Sequence, residues 1–417
     1  MKVVHVNTSD TQGGAARAAS RLHQALLEVN VDSLMLVQTK SGDDFTIQGP
    51  QTNLQKAAAV LRPFLDRLPT RKYNASASLP FSPSWVPFSG VAERINALGP
   101  DIVHLHWIAN GMMSIEEIAQ IKAPIVWSLH DSWAFTGGCH VRFDCEKYIQ
   151  GCGACPVLGS DRQNDLSKAI FDRKSRTYSK IKNLTVTGPS RWLSKCASES
   201  LLFKNRKVVT LPIPLDTDTF SPVEKGNARR ILNLPSDRKL VLFGAKNGTE
   251  DVNKGFKQLI EALDKIENNN VELLIFGSSK PKNPTDFKFK ANYIGSLHDN
   301  VSLKLLYSAA DVMVVPSIQE AFGQTASESL SCGTPVVAFG ATGLLDIVDH
   351  QSNGYLAANY NTNDLAKGID WVLSHPDYSE LSFNARQKVL KSFDSKIIVH
   401  DYIRLYNDII SESIQRA

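Results

Sequence analysis

The chain has no long apolar run. Nothing in its 417 residues approaches the roughly 20 apolar positions of a membrane-crossing helix. It also opens without the apolar stretch and cleavage site of an export signal, and Met1-Lys-Val-Val-His-Val-Asn reads as a short strand instead. These two absences lead us to expect a cytoplasmic protein, at most touching the inner face of a membrane. A dominant charge is missing too: 46 Lys and Arg face 42 Asp and Glu, a formal net charge of +4. So weak a bias does not argue for nucleic acid, and it suits anionic small substrates or a membrane surface. Cysteine is scarce, with six residues in all, which excludes a disulfide scaffold. Low-complexity tracts and short repeats are absent.

What is present is a soluble, globular composition, 42% hydrophobic and 21% charged. The length exceeds one ordinary core, so two domains are expected. Strands alternate with helices through both halves, the signature of doubly wound parallel sheets. In the first half, Val3–Val6, Ser33–Val37, Asp101–His106, Ile125–His130 and Leu184–Gly188 read as strands. A glycine turn after the first strand opens a helix reaching about Leu27, and Arg191–Glu199 reads as another. Prolines between Val208 and Pro222 mark an extended linker. A second series follows, with strands at Leu240–Gly244, Val271–Phe276, Tyr293–Gly295, Val312–Val315 and Val336–Phe339. The expected division is 1–207, a linker over 208–222, 223–393, and a tail helix over 394–417.

The most informative stretch runs from Pro316 to Pro335. Glu320 and Glu328 flank Phe322-Gly323-Gln324-Thr325, which reads as a turn entering a helix after the apolar strand Val312–Val315. Open α/β sheets bind ligands at that carboxyl edge. The first N–H groups of a helix lack partners and carry partial positive charge, so a diphosphate fits there. The flanking carboxylates can accept hydrogen bonds from hydroxyls. Diphosphate plus hydroxyls describes a nucleotide sugar.

Read with Pro316-Ser317 before it and Cys332-Gly-Thr-Pro-Val-Val after it, this string resembles the signature of glycosyltransferase family 4. The resemblance extends over nearly the whole chain. It implies two Rossmann-like domains facing an interdomain cleft (GT-B) and retaining transfer of a hexose from a nucleotide diphosphate sugar. The acceptor would be a glycan or lipid-linked glycan, with no cofactor required for catalysis. It assigns Glu320 to the donor sugar, Glu328 to the ribose, and backbone contacts to Gly323, Gln324 and Thr325. Gly13 and Gly14, in the loop after the first strand, would meet the donor phosphate or the acceptor, with Arg17 one turn later. His130, at a strand's carboxyl end, matches a cleft histidine that hydrogen-bonds the transferred sugar. His104 and His106 end another strand and are weaker candidates for the acceptor side.

Lys254, before Gly255, matches the lysine that neutralises the leaving diphosphate. The arginine usual after the preceding strand's glycine is Ala245 here, and the adjacent Lys246 is the candidate replacement, as a point charge rather than a fork. Within the same architecture, an epimerase or a non-catalytic nucleotide-sugar-binding subunit are the alternatives. A phosphorylase would need a pyridoxal phosphate lysine, for which no motif stands out.

Two further features stand apart. Cys139, Cys145, Cys152 and Cys155 fall within 17 residues and end in a Cys-x-x-Cys pair. That pattern suits a structural zinc site, with His140 as a spare ligand, but also free thiols or a redox pair. Clustered cysteines after a His-Asp-x-Trp start resemble a branch of the family engaged in polysaccharide and lipopolysaccharide assembly. Cys196 and Cys332 are isolated and read as buried. Leu54–Tyr73 mixes Lys56, Arg62, Arg67, Arg71 and Lys72 with Leu61, Phe64, Leu65 and Leu68. Such a segment is either a basic amphipathic membrane contact or an ordinary surface helix.

Overall fold

The computed structural model describes residues 1–73, 80–244, 248–280, 288–297 and 299–415. They form two compact units, Met1–Pro214 with Ile398–Ala417, and Leu215–Ile397. Ala245 and Lys246 lie outside the described residues.

The first unit holds a parallel sheet of seven strands: β1 Lys2–Ser9, β2 Asp32–Thr39, β3 Ile47–Gln48, β4 Ile102–Leu105, β5 Ile125–Ser128, β6 Leu184–Gly188 and β7 Lys207–Thr210. Their order is β3-β2-β1-β4-β5-β6-β7. The strands read as near-continuous apolar runs because helices cover both faces. Chain direction reverses its walk across the sheet between β1 and β4, and the loops beyond their carboxyl ends mark the ligand edge. The segment expected as linker from Val208 begins instead as β7, because Val208, Val209 and Thr210 are β-branched and pair with β6 before the prolines intervene.

The second unit holds six parallel strands: β8 Lys239–Gly244, β9 Val271–Phe276, β10 Lys290–Gly295, β11 Val312–Val315, β12 Val336–Phe339 and β13 Gly354–Ala357. Their order is β10-β9-β8-β11-β12-β13, with the switch between β8 and β11. β13 went unread in the sequence because its four residues start on glycine and carry one tyrosine and no β-branched side chain.

The tail helix, Ser395–Gln415, places Tyr402, Leu405, Tyr406 and Ile409 on one stripe. Those residues are buried with Val3, Leu22, Leu26, Ile102 and Val126 of the first unit. Burying each such side chain is worth about 1.5–3 kcal/mol. Tyr406 also meets a ring nitrogen of His104 at 2.6 Å.

Candidate functional site

In the second unit, two loops at the switch point are tied together. Asn253 ends the loop after β8, and its buried side chain clamps the loop after β11. Its Nδ2 donates to the Gln319 carbonyl (2.8 Å), and its Oδ1 accepts from the Gln319 N–H (3.0 Å). The Ile318 N–H adds a bond to the Asn253 carbonyl. Gly255 sits so close to Pro316 that a Cβ would lie 1.9 Å from the Pro316 carbonyl oxygen, so only glycine allows this approach.

The consequence is that Lys254 and Glu320 meet. Lys254 Nζ lies 2.5 Å from Glu320 Oε1, which also accepts from Ser317 Oγ at 2.9 Å. The Glu320 backbone is held by Thr342 Oγ1 and by the Gly343 N–H. Burial alone would lower the lysine's pKa, but the Glu320 carboxylate and its hydrogen bond, with Asp251, outweigh it and raise the pKa above the usual value. Lys254 therefore stays fully cationic at neutral pH.

Three residues on, Gly323 starts helix Gln324–Ser331 with φ at +110°, where a side chain would also run into Leu344. Gly323, at the N-cap, has no side chain with which to cap this helix. Gln324 and Thr325 supply its first backbone N–H groups and are half-buried. Glu328 is buried on the same helix and accepts from the Tyr307 hydroxyl at 2.6 Å. The structure thus brings Lys254, Glu320, Gly323, Gln324 and Thr325 to one sheet edge. Asn253, Ser317, Thr342 and Tyr307 were missed, because a hydroxyl or amide that supports a neighbour carries no spacing signal of its own.

In the first unit, Gly13 opens helix Gly14–Glu28 beyond β1, and Arg17 lies one turn in. Behind them is a stack of histidines. His5 on β1, His104 and His106 at the end of β4, and His130 beyond β5 follow one another ring to ring, with centroids 4.4–5.3 Å apart. His5 Nδ1 and His106 Nε2 are 2.9 Å apart, and His106 Nδ1 and His130 Nε2 are 3.0 Å apart.

Burial, reinforced by their mutual repulsion, lowers the pKa of His5 and His106 far below the usual value. Burial brings His104 to about 3 and His130 to about 4, the latter against the pull of Asp131. All four are neutral at pH 7, so each carries one N–H and one lone pair. His5 Nε2 is buried and, among the described residues, has no partner. A bare lone pair there is better tolerated than an orphaned N–H. The favoured chain therefore runs His5 Nδ1–H to His106 Nε2, then His106 Nδ1–H to His130 Nε2. It leaves the His130 proton on Nδ1, so His130 offers a neutral donor.

This corrects the expectation for His104 and His106. Both are buried and spent on internal hydrogen bonds, His104 to Tyr406 and Ser128, so neither lines an acceptor surface. His5, His104 and His106 are the only three ligand-type residues whose donor atoms lie within 4.8 Å of one another among the described residues. All of their ring nitrogens except His5 Nε2 already hydrogen-bond, which argues against an ion there.

His140 is corrected too. Its Nδ1 meets Asp131 Oδ2 at 2.6 Å and its Nε2 meets Ser82 Oγ at 2.8 Å, so neither nitrogen remains for a metal. Asp131 also accepts from Trp107 Nε1 and from the Trp133 N–H, which fixes the turn just after His130.

The chain is similar to known proteins. Residues 224–388 fit the family model described as glycosyl transferases group 1. An uncharacterised glycosyltransferase of Methanocaldococcus jannaschii is 30% identical over 329 residues, covering 73% of this chain and 82% of that protein. This chain belongs to the group 1 glycosyltransferases. The glycosyltransferase is also similar to the solved sucrose-phosphate synthase of Thermosynechococcus elongatus, with a TM-score of 0.67, 19% identity, and coverage of 99% and 100% of the two chains. HepE of Anabaena, solved with UDP and glucose, gives a TM-score of 0.64 at 14% identity, covering 98% and 100%. At such identities the likeness is one of fold. Two parallel-sheet α/β units of this kind make up GT-B glycosyltransferases.

Proposed function

We propose that this glycosyltransferase, of the family 4 type, moves a hexose from a nucleotide diphosphate sugar to a glycan or lipid-linked glycan, with retention of configuration. The observation that carries this reading is the Lys254–Glu320 pair beside the glycine-led start of helix Gln324–Ser331. A diphosphate at that start meets the N–H groups of Gln324 and Thr325 and the positive end of the helix dipole. Lys254 then exchanges part of its contact with Glu320 for a phosphate oxygen and stabilises the charge that grows as the sugar leaves. Glu320, held by Ser317 and Lys254, receives the sugar hydroxyls. The His130 Nδ1–H donates to the transferred sugar. Helix and lysine supply the positive charge a divalent ion would otherwise bring.

Glu328 is assigned to the ribose, sharing its carboxylate with Tyr307. Glu328→Ala is expected to weaken donor binding about 10- to 150-fold, the worth of a charged hydrogen bond of about 1.5–3 kcal/mol. Calorimetric titration with nucleotide diphosphate measures this, and an unchanged affinity removes Glu328 from the donor site.

A lipid-linked acceptor is supported by helix Asn53–Arg67. Two of its polar side chains point inward: Arg62 binds the carbonyls of Val86, Pro87 and Gly111, and buried Asp66 accepts from the Trp85 N–H. Its apolar side chains point outward, with Leu54, Leu61 and Phe64 at 81%, 58% and 67% exposure. Lys56, Arg67, Arg71 and Lys72 are exposed beside them. Such a face suits an anionic bilayer, in keeping with assembly of a surface polysaccharide or lipopolysaccharide at the inner face of a membrane. No helix of the described residues is long and apolar enough to cross one. The protein should sediment with vesicles containing anionic lipid and release in high salt, and Leu61→Ser with Phe64→Ser should abolish sedimentation. Equal recovery of wild type and variant in the supernatant would remove the membrane contact.

Labelled nucleotide sugars, offered with and without membrane lipid extract, test the reaction itself. Product that forms only with acceptor is expected. An isomerised sugar without acceptor would indicate an epimerase, and binding without turnover a non-catalytic subunit.

A further inference from the structure

The loop after β5 brings four cysteines to one small space. Cys139, Cys145, Cys152 and Cys155 line a single cavity, with Arg142 and Lys147 beside them. Its volume is about 10 Å³, roughly the room needed by one water-sized particle. It is too small for a substrate and the right size for an ion. The surrounding chain is built mainly of short 3₁₀ turns, at Trp133–Phe135, Lys147–Ile149 and Pro156–Leu158. The loop's large apolar side chains, Trp133, Phe135, Tyr148 and Leu158, are buried, and Cys139 and Cys155 pack with Val157 and Leu158.

One of the sulfurs is also addressed by a backbone N–H group, a usual outer support of metal-bound thiolates. The Gly137 N–H donates to Cys152 Sγ at 3.1 Å. Just past the Cys-x-x-Cys pair, the Leu158 N–H donates to the Cys155 carbonyl oxygen at 3.1 Å and closes the turn there. At Gly137 a Cβ would lie 2.8 Å from the Cys152 Cβ and 2.4 Å from the Ser167 carbonyl oxygen, so the chain closes tightly around this sulfur. Four thiolates and one divalent cation carry a net charge of about −2, and two cationic residues, Arg142 and Lys147, line the same cavity.

We propose that Cys139, Cys145, Cys152 and Cys155 bind one structural zinc ion. The set is all sulfur, which selects a soft, four-coordinate ion. A tetrahedral site with Zn–S of about 2.3 Å sets sulfurs about 3.8 Å apart. No three of these sulfurs lie within 4.8 Å of one another, so binding draws them inward by side-chain rotation and a small closure of the loop. Four protein ligands leave no open position for water, so the ion holds structure and activates no nucleophile. What it holds is the segment carrying His140, which fixes Asp131 next to His130. This inference does not depend on the donor-site reading, since it concerns only residues of the first unit.

Elemental analysis of the reduced, purified protein should give about one zinc per chain. A mercurial that titrates thiolates should release that zinc to a chromogenic chelator as four equivalents are added. Cys152→Ser should lose the metal, whereas Cys332→Ser, far along the sequence in the second unit, should keep it. If Cys152→Ser does not fold, cobalt substitution of the wild type decides, because four sulfurs around cobalt give an intense sulfur-to-metal charge-transfer band. Folded protein without metal would overturn the proposal, whether its thiols titrate freely or its mass shows two disulfides. Stoichiometric iron with inorganic sulfide would overturn it equally, as would zinc retained in Cys152→Ser.

Discussion

Lys254→Ala should lower kcat about 10²–10³-fold, the usual cost of removing one preorganised donor from a developing negative charge. The donor's dissociation constant should rise much less. In the ground state the diphosphate is also held by the N–H groups of helix Gln324–Ser331, while the lysine's contribution grows as the sugar–phosphate bond breaks. The lysine is already charged and fixed before donor arrives, through Glu320 at 2.5 Å and the Asn253 clamp behind it. Removing it also leaves Glu320 without its cation, so Lys254→Ala with Glu320→Gln should cost less than the sum of the two changes. Steady-state kinetics with calorimetric titration measures both quantities. A loss confined to affinity, with kcat intact, would place Lys254 in uniform binding rather than in leaving-group stabilisation.

Acid should unfold the first unit well before carboxylate protonation. Burial depresses five histidines there: His5 and His106 strongly, His104 to about 3, and His23 and His130 to about 4. The opposing pull of Asp44 on His23 and of Asp131 on His130 does not reverse this. Below about pH 6.5 the unfolded chain binds protons that the folded unit refuses, so stability falls as pH drops from about 6.5 toward 4. At pH 5 each ring that stays neutral costs about 2 kcal/mol. Two such rings already take a large share of the 5–15 kcal/mol that holds a typical domain. Five of the six tryptophans precede residue 215, so fluorescence melts report mainly on this unit. The expected result is a midpoint that drops steeply between pH 6.5 and 5, and less steeply in a His5→Phe variant. A flat profile over that interval would mean the stacked rings are not held neutral.

The sheets were legible because parallel strands bury both faces and so read as apolar runs. Glu320, Gly323, Gln324, Thr325 and Lys254 were singled out by the Pro316–Pro335 string and its resemblance to glycosyltransferase family 4, and the structure brings them to one sheet edge. Residues that act through a neighbour were not legible. Asn253 binds a loop 66 positions away, and His5 reaches His130 only through His106. Neither relation leaves a local pattern. His104, His106 and His140 show the converse. Their position at strand ends or among cysteines suggested ligands, while the fold turned them inward and used both nitrogens of each. The inverted helix Asn53–Arg67 was ambiguous, because mixed basic and apolar residues do not say which face is covered until Arg62 and Asp66 are seen to anchor it.

The central claim is that donor diphosphate binds at the start of helix Gln324–Ser331 beside Lys254. Hydrogen–deuterium exchange, compared with and without the saturating nucleoside diphosphate that calorimetry shows to bind, locates a bound nucleotide directly. The account predicts slowed exchange in two short segments, 252–256 and 322–326. Protection elsewhere, with both segments exchanging as in the free protein, would contradict it.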